Sequence, residues 1–307
     1  GQRLVTRMSD PLLKPEEMFR ITAEDLELTQ QEKARPLDEV LSELDHFIGM
    51  RSVKDAIRRL AVQTMFMKQR SAQGIGQVQQ MAINFVLTGN PGTGKTSIAR
   101  KMGEILYSMD ILPTSNVIEV NRSTLVGKYM GETPKIVNMT CDKAMGGILF
   151  VDEAYSLSEG NDSYGKEAID TLMKRMEDDR GKFVVIVAGY QDKMEAFLAT
   201  NPGLNSRFTH HLHIADYTDH ELMDIFKKMA AVQLYQLTLQ AEAKLIEVIN
   251  NMCVNKSASF GNARDIRNLF ETTIQQLSIR VSKMPVNEIT KETYQIILPE
   301  DIVINKV

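Results

Sequence analysis

Gly89-Asn90-Pro91-Gly92-Thr93-Gly94-Lys95-Thr96 is the stretch that decides how this chain is read. Its spacing, G-x-x-x-x-G-K-T, belongs to a loop that cradles the phosphates of a nucleoside triphosphate. Glycines let the backbone turn its N–H groups inward onto phosphate oxygens. The apolar run 82–88 before the loop reads as a buried parallel strand. Beyond it, Ser97 to Met102 reads as the start of a helix, whose N-terminus adds partial positive charge. In that setting Lys95 reaches the β- and γ-phosphates and Thr96 places its hydroxyl on Mg²⁺. Asn90, Pro91, Gly92, Thr93, Gly94, Lys95, Thr96 and Ser97 are therefore the expected nucleotide-binding residues.

Outward from the loop, strands are expected at 82–88, 116–121, 147–152, 182–188 and 210–214, with helical patterns between the first four. That alternation predicts a parallel sheet covered on both faces, with ligands at the carboxyl ends of the strands. One strand ends Ile148-Leu149-Phe150-Val151-Asp152-Glu153, four apolar residues and then two carboxylates. A buried strand of that kind delivers both acids beside the phosphate loop. Asp152 is the expected support for Mg²⁺, and Glu153 the expected base that orients and activates water. Arg207, just before the last strand, and Arg264, in Gly261-Asn262-Ala263-Arg264, supply the positive charge that phosphoryl transfer needs as bonding loosens.

The 307 residues divide into three parts. Residues 1–36 read as an arm or linker, broken by Pro11, Pro15 and Pro36, with room for a helix over 16–28. Residues 37–215 form the large phosphate-loop domain, which opens on helical stripes through Leu37, Val40, Leu41 and Leu44 and then Val53, Ile57, Leu60, Ala61 and Thr64. At 216–307 the character changes to a small all-helical lid domain, opened by the capping box Thr218-Asp219-His220-Glu221 and striped at about 219–232, 240–254 and 262–282. The chain begins at Gly1 rather than Met, as expected of an excised or processed piece with sequence upstream. A net charge of −4 with no basic stripe argues against a nucleic-acid partner. No apolar run is long enough to span a bilayer and no leader pattern is found, so the expected location is the cytoplasm. Cys141 and Cys253 then read as reduced thiols rather than a disulfide, and His210, His211 and His213 as strand residues rather than a metal site.

Taken together these stretches resemble the AAA+ ATPases, and within them the group that contains the red-type Rubisco activase and stage V sporulation protein K. The general features are Gly89–Thr96 (Walker A), Ile148–Glu153 (Walker B) and the Gly-Asn-Ala-Arg of the lid. Group-level features include 44–49 with Val53 and Lys54, 125–133, 152–157, 164–168, 176–180, 187–190 and 201–217. The likeness covers about 40–280. It implies that ATP and Mg²⁺ are the cofactors, that Ile48 and Gly49 line the adenine pocket, and that Arg264 is the sensor-2 arginine of the lid. It further implies that Arg207 is an arginine finger reaching the nucleotide of the next subunit, so that hydrolysis requires a homo-oligomeric ring, usually of six. Many AAA+ proteins carry a polar sensor 1 after Walker B. Here that strand ends Val187-Ala188-Gly189-Tyr190, and no side chain is assigned the role.

Gly127-Lys128-Tyr129-Met130-Gly131 resembles the axial pore loop of substrate-threading AAA+ motors. A tyrosine face grips any extended polypeptide, and Lys128 and Met130 add adaptable contact area. Tyr164, expected in a loop from Ser158 to Gly165, is a weaker candidate for the same pore, and Arg180 for a second intersubunit arginine. The implied function is a Mg²⁺-dependent ATP-hydrolysing ring motor that remodels a protein client by gripping a segment in its pore. An ATP-gated assembly scaffold that does not thread its partner is the alternative.

Overall fold

The computed structural model describes residues 34–75, 83–159, 163–256 and 260–303. The expected arm at 1–36, with its helix over 16–28, lies outside them but for its last three residues. Leu37–Ser42 (α1) and Arg51–Ala72 (α2) lead into a five-stranded sheet. Its strands are Phe85–Gly89 (β1), Val117–Val120 (β2), Ile148–Val151 (β3), Val184–Gly189 (β4) and His210–Ile214 (β5), within three residues of the expected ends. They run parallel in the order β2-β3-β4-β1-β5. The phosphate loop therefore leaves an inner strand, with the end of β4 on one side and that of β5 on the other. Thr88 pairs with Gly189, and Gly89 with Ile214.

Alternation along these strands divides the interior in two. Phe85, Leu87, Ile148, Phe150, Ile186 and Ala188 join one apolar cluster, and Val86, Leu149, Val151, Val185 and Val187 the other. The connecting helices are Lys95–Ser108 (α3), Arg122–Leu125 (α4), Thr133–Ala144 (α5), Ser163–Asp178 (α6), Gln191–Ala199 (α7) and Pro202–Arg207 (α8). Helix α3 buries Ile98, Met102, Ile105 and Leu106 on the first face, whereas α5, α6 and α7 cover the second. Cys141 of α5 is buried, and burial pushes its thiol up to about 11, so it stays protonated and inert.

The lid consists of Asp219–Val232 (α9), Leu239–Val254 (α10) and Ala263–Ser282 (α11), and Thr218 and Glu221 close the expected capping box at 3.3 and 2.9 Å. Its apolar residues Leu222, Phe226, Leu245 and Phe270 belong to the same cluster as the first face of the sheet. Two details depart from an all-helical lid with an open end. Gln236–Leu237 (β6) pairs in parallel with Ile296–Ile297 (β7), strands too short to show a periodicity. The tail is pinned by Arg280, which donates to buried Asp301 at 2.9 Å and to the Ile296 carbonyl at 2.8 Å.

A third difference concerns Tyr164. It lies in the first turn of α6 rather than in a loop ending at Gly165. The buried stripe of α6 begins at Gly165, where a Cβ would stand 2.1 Å from the Leu157 carbonyl oxygen. That close approach pulls the helix start back to Ser163.

Candidate functional site

The phosphate loop has the backbone that its glycines predict. Gly89, Gly92 and Gly94 all have positive φ, at 155°, 68° and 94°. A Cβ on Gly92 would stand 2.0 Å from the Gly261 carbonyl oxygen of the lid, and one on Gly94 2.5 Å from the Met50 methyl. No larger residue fits at Gly92, and at Gly94 the left-handed φ is what disfavours a side chain, since the Met50 methyl can move. Helix α3 starts directly behind, with Gly94 as its left-handed N-cap. The Lys95 ammonium donates to the Gly89 and Asn90 carbonyls at 2.8 and 2.9 Å. Burial pulls its pKa below the ordinary value, Asp152 and Glu153 pull the other way, and Arg264 adds to the lowering. Lys95 therefore lies within electrostatic reach of both carboxylates and of the lid arginine.

A cavity of about 930 Å³ opens at this point, between the carboxyl ends of the strands and the lid. Ile48, Pro91, Gly92, Gly94, Lys95, Thr96, Ser97, Asp152, Glu153 and Arg264 all line it. Asp152 and Glu153 follow directly on β3, and the Asp152 carboxylate accepts from the Glu153 N–H at 3.0 Å. Glu153 itself has φ 49°, an uncommon conformation for a residue with a side chain and one that concentrates at functional sites. The remaining loop residues point elsewhere. Asn90 donates to Asp216 at 2.9 Å, and Thr93, fully buried, donates to the Asn90 carbonyl at 2.8 Å. Gly49, with φ 68°, packs against Tyr217 and Glu221.

Other expected site residues lie outside the cavity. Arg207, at the end of α8, donates to Gly203 O and to Glu177 of α6, each at 3.2 Å. Its Nε is buried without a hydrogen-bond partner among the described residues. Lys128, Tyr129 and Met130 follow α4 in a loop held by Glu132, which accepts from the Lys128 and Tyr129 N–H groups at 3.1 Å each. The side chains of Tyr129 and Met130 are 71% and 90% exposed. The three strand histidines each bond a neighbour, Thr209, the Phe208 carbonyl and Thr88 respectively.

Several lining residues escaped the sequence reading. Met50, beside Gly94, and Ile225, Met229, Phe270 and Ile274 of the lid are apolar residues lining the cavity. Their signal was present in the stripe of α9, where Ile225 and Met229 sit four apart on the shoulder of the buried face. Gly189 also lines the cavity, and the structure explains why it carries no side chain. A Cβ there would stand 2.7 Å from the ring of buried Tyr155 and 2.9 Å from the Met194 sulfur. Gly189→Ala is expected to destabilise the fold by about 1–3 kcal/mol through overpacking, measured as a shift in urea midpoint at unchanged slope.

Can this cavity hold Mg²⁺ with a triphosphate? The glycine cradle and Lys95 suit the phosphates, and the Thr96 hydroxyl and one strand-end carboxylate are the hard oxygen donors that would hold a Mg²⁺ shared with them. No group of three or more Asp, Glu, His or Cys that would cage a metal by themselves is found among the described residues. No described helix is long and apolar enough to cross a membrane.

Comparison with known proteins gives a consistent picture. Residues 85–216 match the ATPase family associated with various cellular activities (AAA), and residues 218–306 match the AAA lid domain. Stage V sporulation protein K of Bacillus subtilis is 40% identical over 80% of this chain and 76% of its own length. The chloroplastic ribulose bisphosphate carboxylase/oxygenase activase of Cyanidioschyzon merolae is 38% identical over 88% of this chain and 92% of its own. Protein CbbX of Cereibacter sphaeroides is 41% identical over 76% and 75%. Among solved structures, the FIGL-1 AAA domain in complex with ADP superposes with TM-score 0.55 at 17% identity, covering 83% of this chain and 80% of that one, a likeness of fold. With a five-stranded parallel sheet, a phosphate loop on an inner strand, a helical lid and relatives at this level of identity, the chain belongs to the AAA+ ATPases, in the group that contains stage V sporulation protein K, the chloroplastic ribulose bisphosphate carboxylase/oxygenase activase and protein CbbX.

Proposed function

We propose that the chain works as a Mg²⁺-dependent ATPase whose active sites are completed between neighbouring subunits of a ring, and that it spends the cycle pulling on a protein client. The observation that carries this reading is the meeting of Lys95, Thr96, Asp152, Glu153 and Arg264 around one cavity, while Arg207 of the same chain stays outside it. Loop N–H groups and the α3 N-terminus bind the phosphates, and Lys95 exchanges its two carbonyls for β- and γ-oxygens. Thr96 and Asp152 hold Mg²⁺, which when bound neutralises charge on those oxygens. Glu153, at the rim of the same cavity, takes the proton of the attacking water. Arg264 reaches the γ-phosphate from the lid, so loss of that phosphate is felt at α11. The apolar wall of Ile48, Ile225, Met229 and Ile274 receives the adenine.

Arg207 has the chemistry of a finger supplied to another protomer. Its guanidinium is held by a single carboxylate and a carbonyl at 3.2 Å, contacts that a triphosphate outcompetes. A ring, six-membered in the usual AAA+ arrangement, brings it there. The client is a protein, as the activase names of the relatives suggest, and its identity is open to a pull-down with a hydrolysis-deficient variant. Tyr129 and Met130 are large apolar side chains exposed to solvent beside Gly131 at φ 79°, which suits a mobile gripping loop. Tyr129→Ala is expected to leave ATP turnover within about twofold of the parent, since it touches nothing in the cavity, and to stop client remodelling. Full remodelling by that variant would remove threading and favour the assembly scaffold.

A further inference from the structure

Asn262 is fully buried, and its backbone adopts φ 49° and ψ −122°, a region that a residue with a side chain enters only under constraint. The constraint is a set of hydrogen bonds between the lid and the phosphate loop. The Asn262 amide oxygen accepts from the Tyr217 N–H at 3.1 Å. Because a backbone N–H only donates, this contact fixes which way the amide points. Its nitrogen then donates to the Pro91 carbonyl at 3.2 Å and to the Asp216 carboxylate at 2.9 Å. The same Asp216 oxygen accepts from Asn90 of the loop at 2.9 Å. Two further bonds flank the set: Ala263 N–H to the Gly92 carbonyl at 3.3 Å, and the Tyr217 hydroxyl to the Thr93 carbonyl at 3.1 Å. Every polar atom of the Asn262 side chain is thereby used, and one end of the set lies two residues from Arg264.

We propose that Asn262 is a positioning residue of the nucleotide site. It ties the start of the lid helix to Pro91 and Asp216, so that one side chain sets both the curvature of the phosphate loop and the register of Arg264. The inference rests on the ATP-site reading above. It requires specifically the donor pair of the amide, and this can be separated from a general packing role. Asn262→Asp keeps the shape but removes the donor and sets a second carboxylate against Asp216. The other charged groups near that position are Lys256, whose ammonium is 3.8 Å from the far Asp216 oxygen, Arg264, and Asp265, already engaged by the Gly261 N–H at 2.8 Å. Lys256 already pairs with Asp216, so an added carboxylate meets a like charge at hydrogen-bond distance, which favours a proton shared by the two acids at mildly acid pH and lost as pH rises.

The test is binding of a fluorescent ADP analogue to the full chain, each variant normalised to the parent at the same pH. Asn262→Asp is expected to bind about tenfold or more weakly at pH 8. It should return to within about threefold of the parent at pH 5.5, where the introduced carboxyl is protonated and again donates. Asn262→Gly, which suits the positive φ and supplies no donor, should be weakened by a similar factor at both pH values. Parent-like affinity in either variant at pH 8, or an Asn262→Asp loss that does not recover on acidification, overturns the assignment. Failure of the parent chain itself to bind the analogue would instead sink the ATP-site reading.

Discussion

Glu153→Gln is expected to lower ATP turnover by about 10²–10⁴, the usual worth of a positioned general base. Affinity for ATP should stay near that of the parent. The substitution keeps the side-chain shape at a backbone position with φ 49°, so strain there is unchanged. It removes only the capacity to take a proton from water. Asp152, which accepts the Glu153 N–H, keeps its place at the strand end and the role proposed for it toward Mg²⁺. Quench-flow measurement of single-turnover hydrolysis, with filter binding of labelled ATP in parallel, separates the two effects. Turnover within threefold of the parent would mean that the base is another group. Loss of ATP binding would mean that Glu153 supports the site rather than the chemistry.

Arg207→Ala should be the second large effect, about 10³–10⁵ in turnover if the guanidinium is the charge supplied to the γ-phosphate. The structure makes an unusual demand of this experiment. Among the described residues the Arg207 guanidinium bonds Gly203 and Glu177 and does not line its own cavity, so its removal should leave nucleotide affinity intact. A mixture of Arg207→Ala and Glu153→Gln chains should then regain activity that neither has alone. An interface that pairs the intact Glu153 of the first variant with the intact Arg207 of the second is a complete site. Absence of any recovery, at a concentration where light scattering shows mixed assemblies, would return Arg207 to the role of an ordinary surface ion pair.

Much of this was legible in the sequence because the decisive signals are local. A strand, a glycine turn and a helix start lie within about twenty residues around Lys95, and the acid pair follows its own apolar run. Both depend on backbone geometry that neighbouring residues dictate. The lid helices were equally open to reading, since Thr218 and Glu221 mark one start and the apolar stripes run about four to six turns. What escaped depends on contacts distant along the chain. Asn262 is an ordinary polar residue until the fold sets it against Pro91 and Asp216. Gly189 looks like a missing sensor until the Tyr155 ring is seen to fill the space its side chain would need. Tyr164 was assigned to a loop because nothing near it in sequence announces how closely Gly165 approaches Leu157. The parallel pair of Gln236–Leu237 with Ile296–Ile297 joins segments almost sixty residues apart, each too short for a pattern.

The apolar cluster that runs unbroken from one face of the sheet into the lid has a mechanical consequence. A flap on a loose tether could swing freely and transmit no force. Here Leu222 and Phe226 belong to the same apolar cluster as Phe150 and Ile186, so a wide swing of the lid would bare apolar surface to water. That cost opposes free swinging. On the function proposed above, a shift at Arg264 would then be carried by the lid as a body rather than absorbed in the connection behind it.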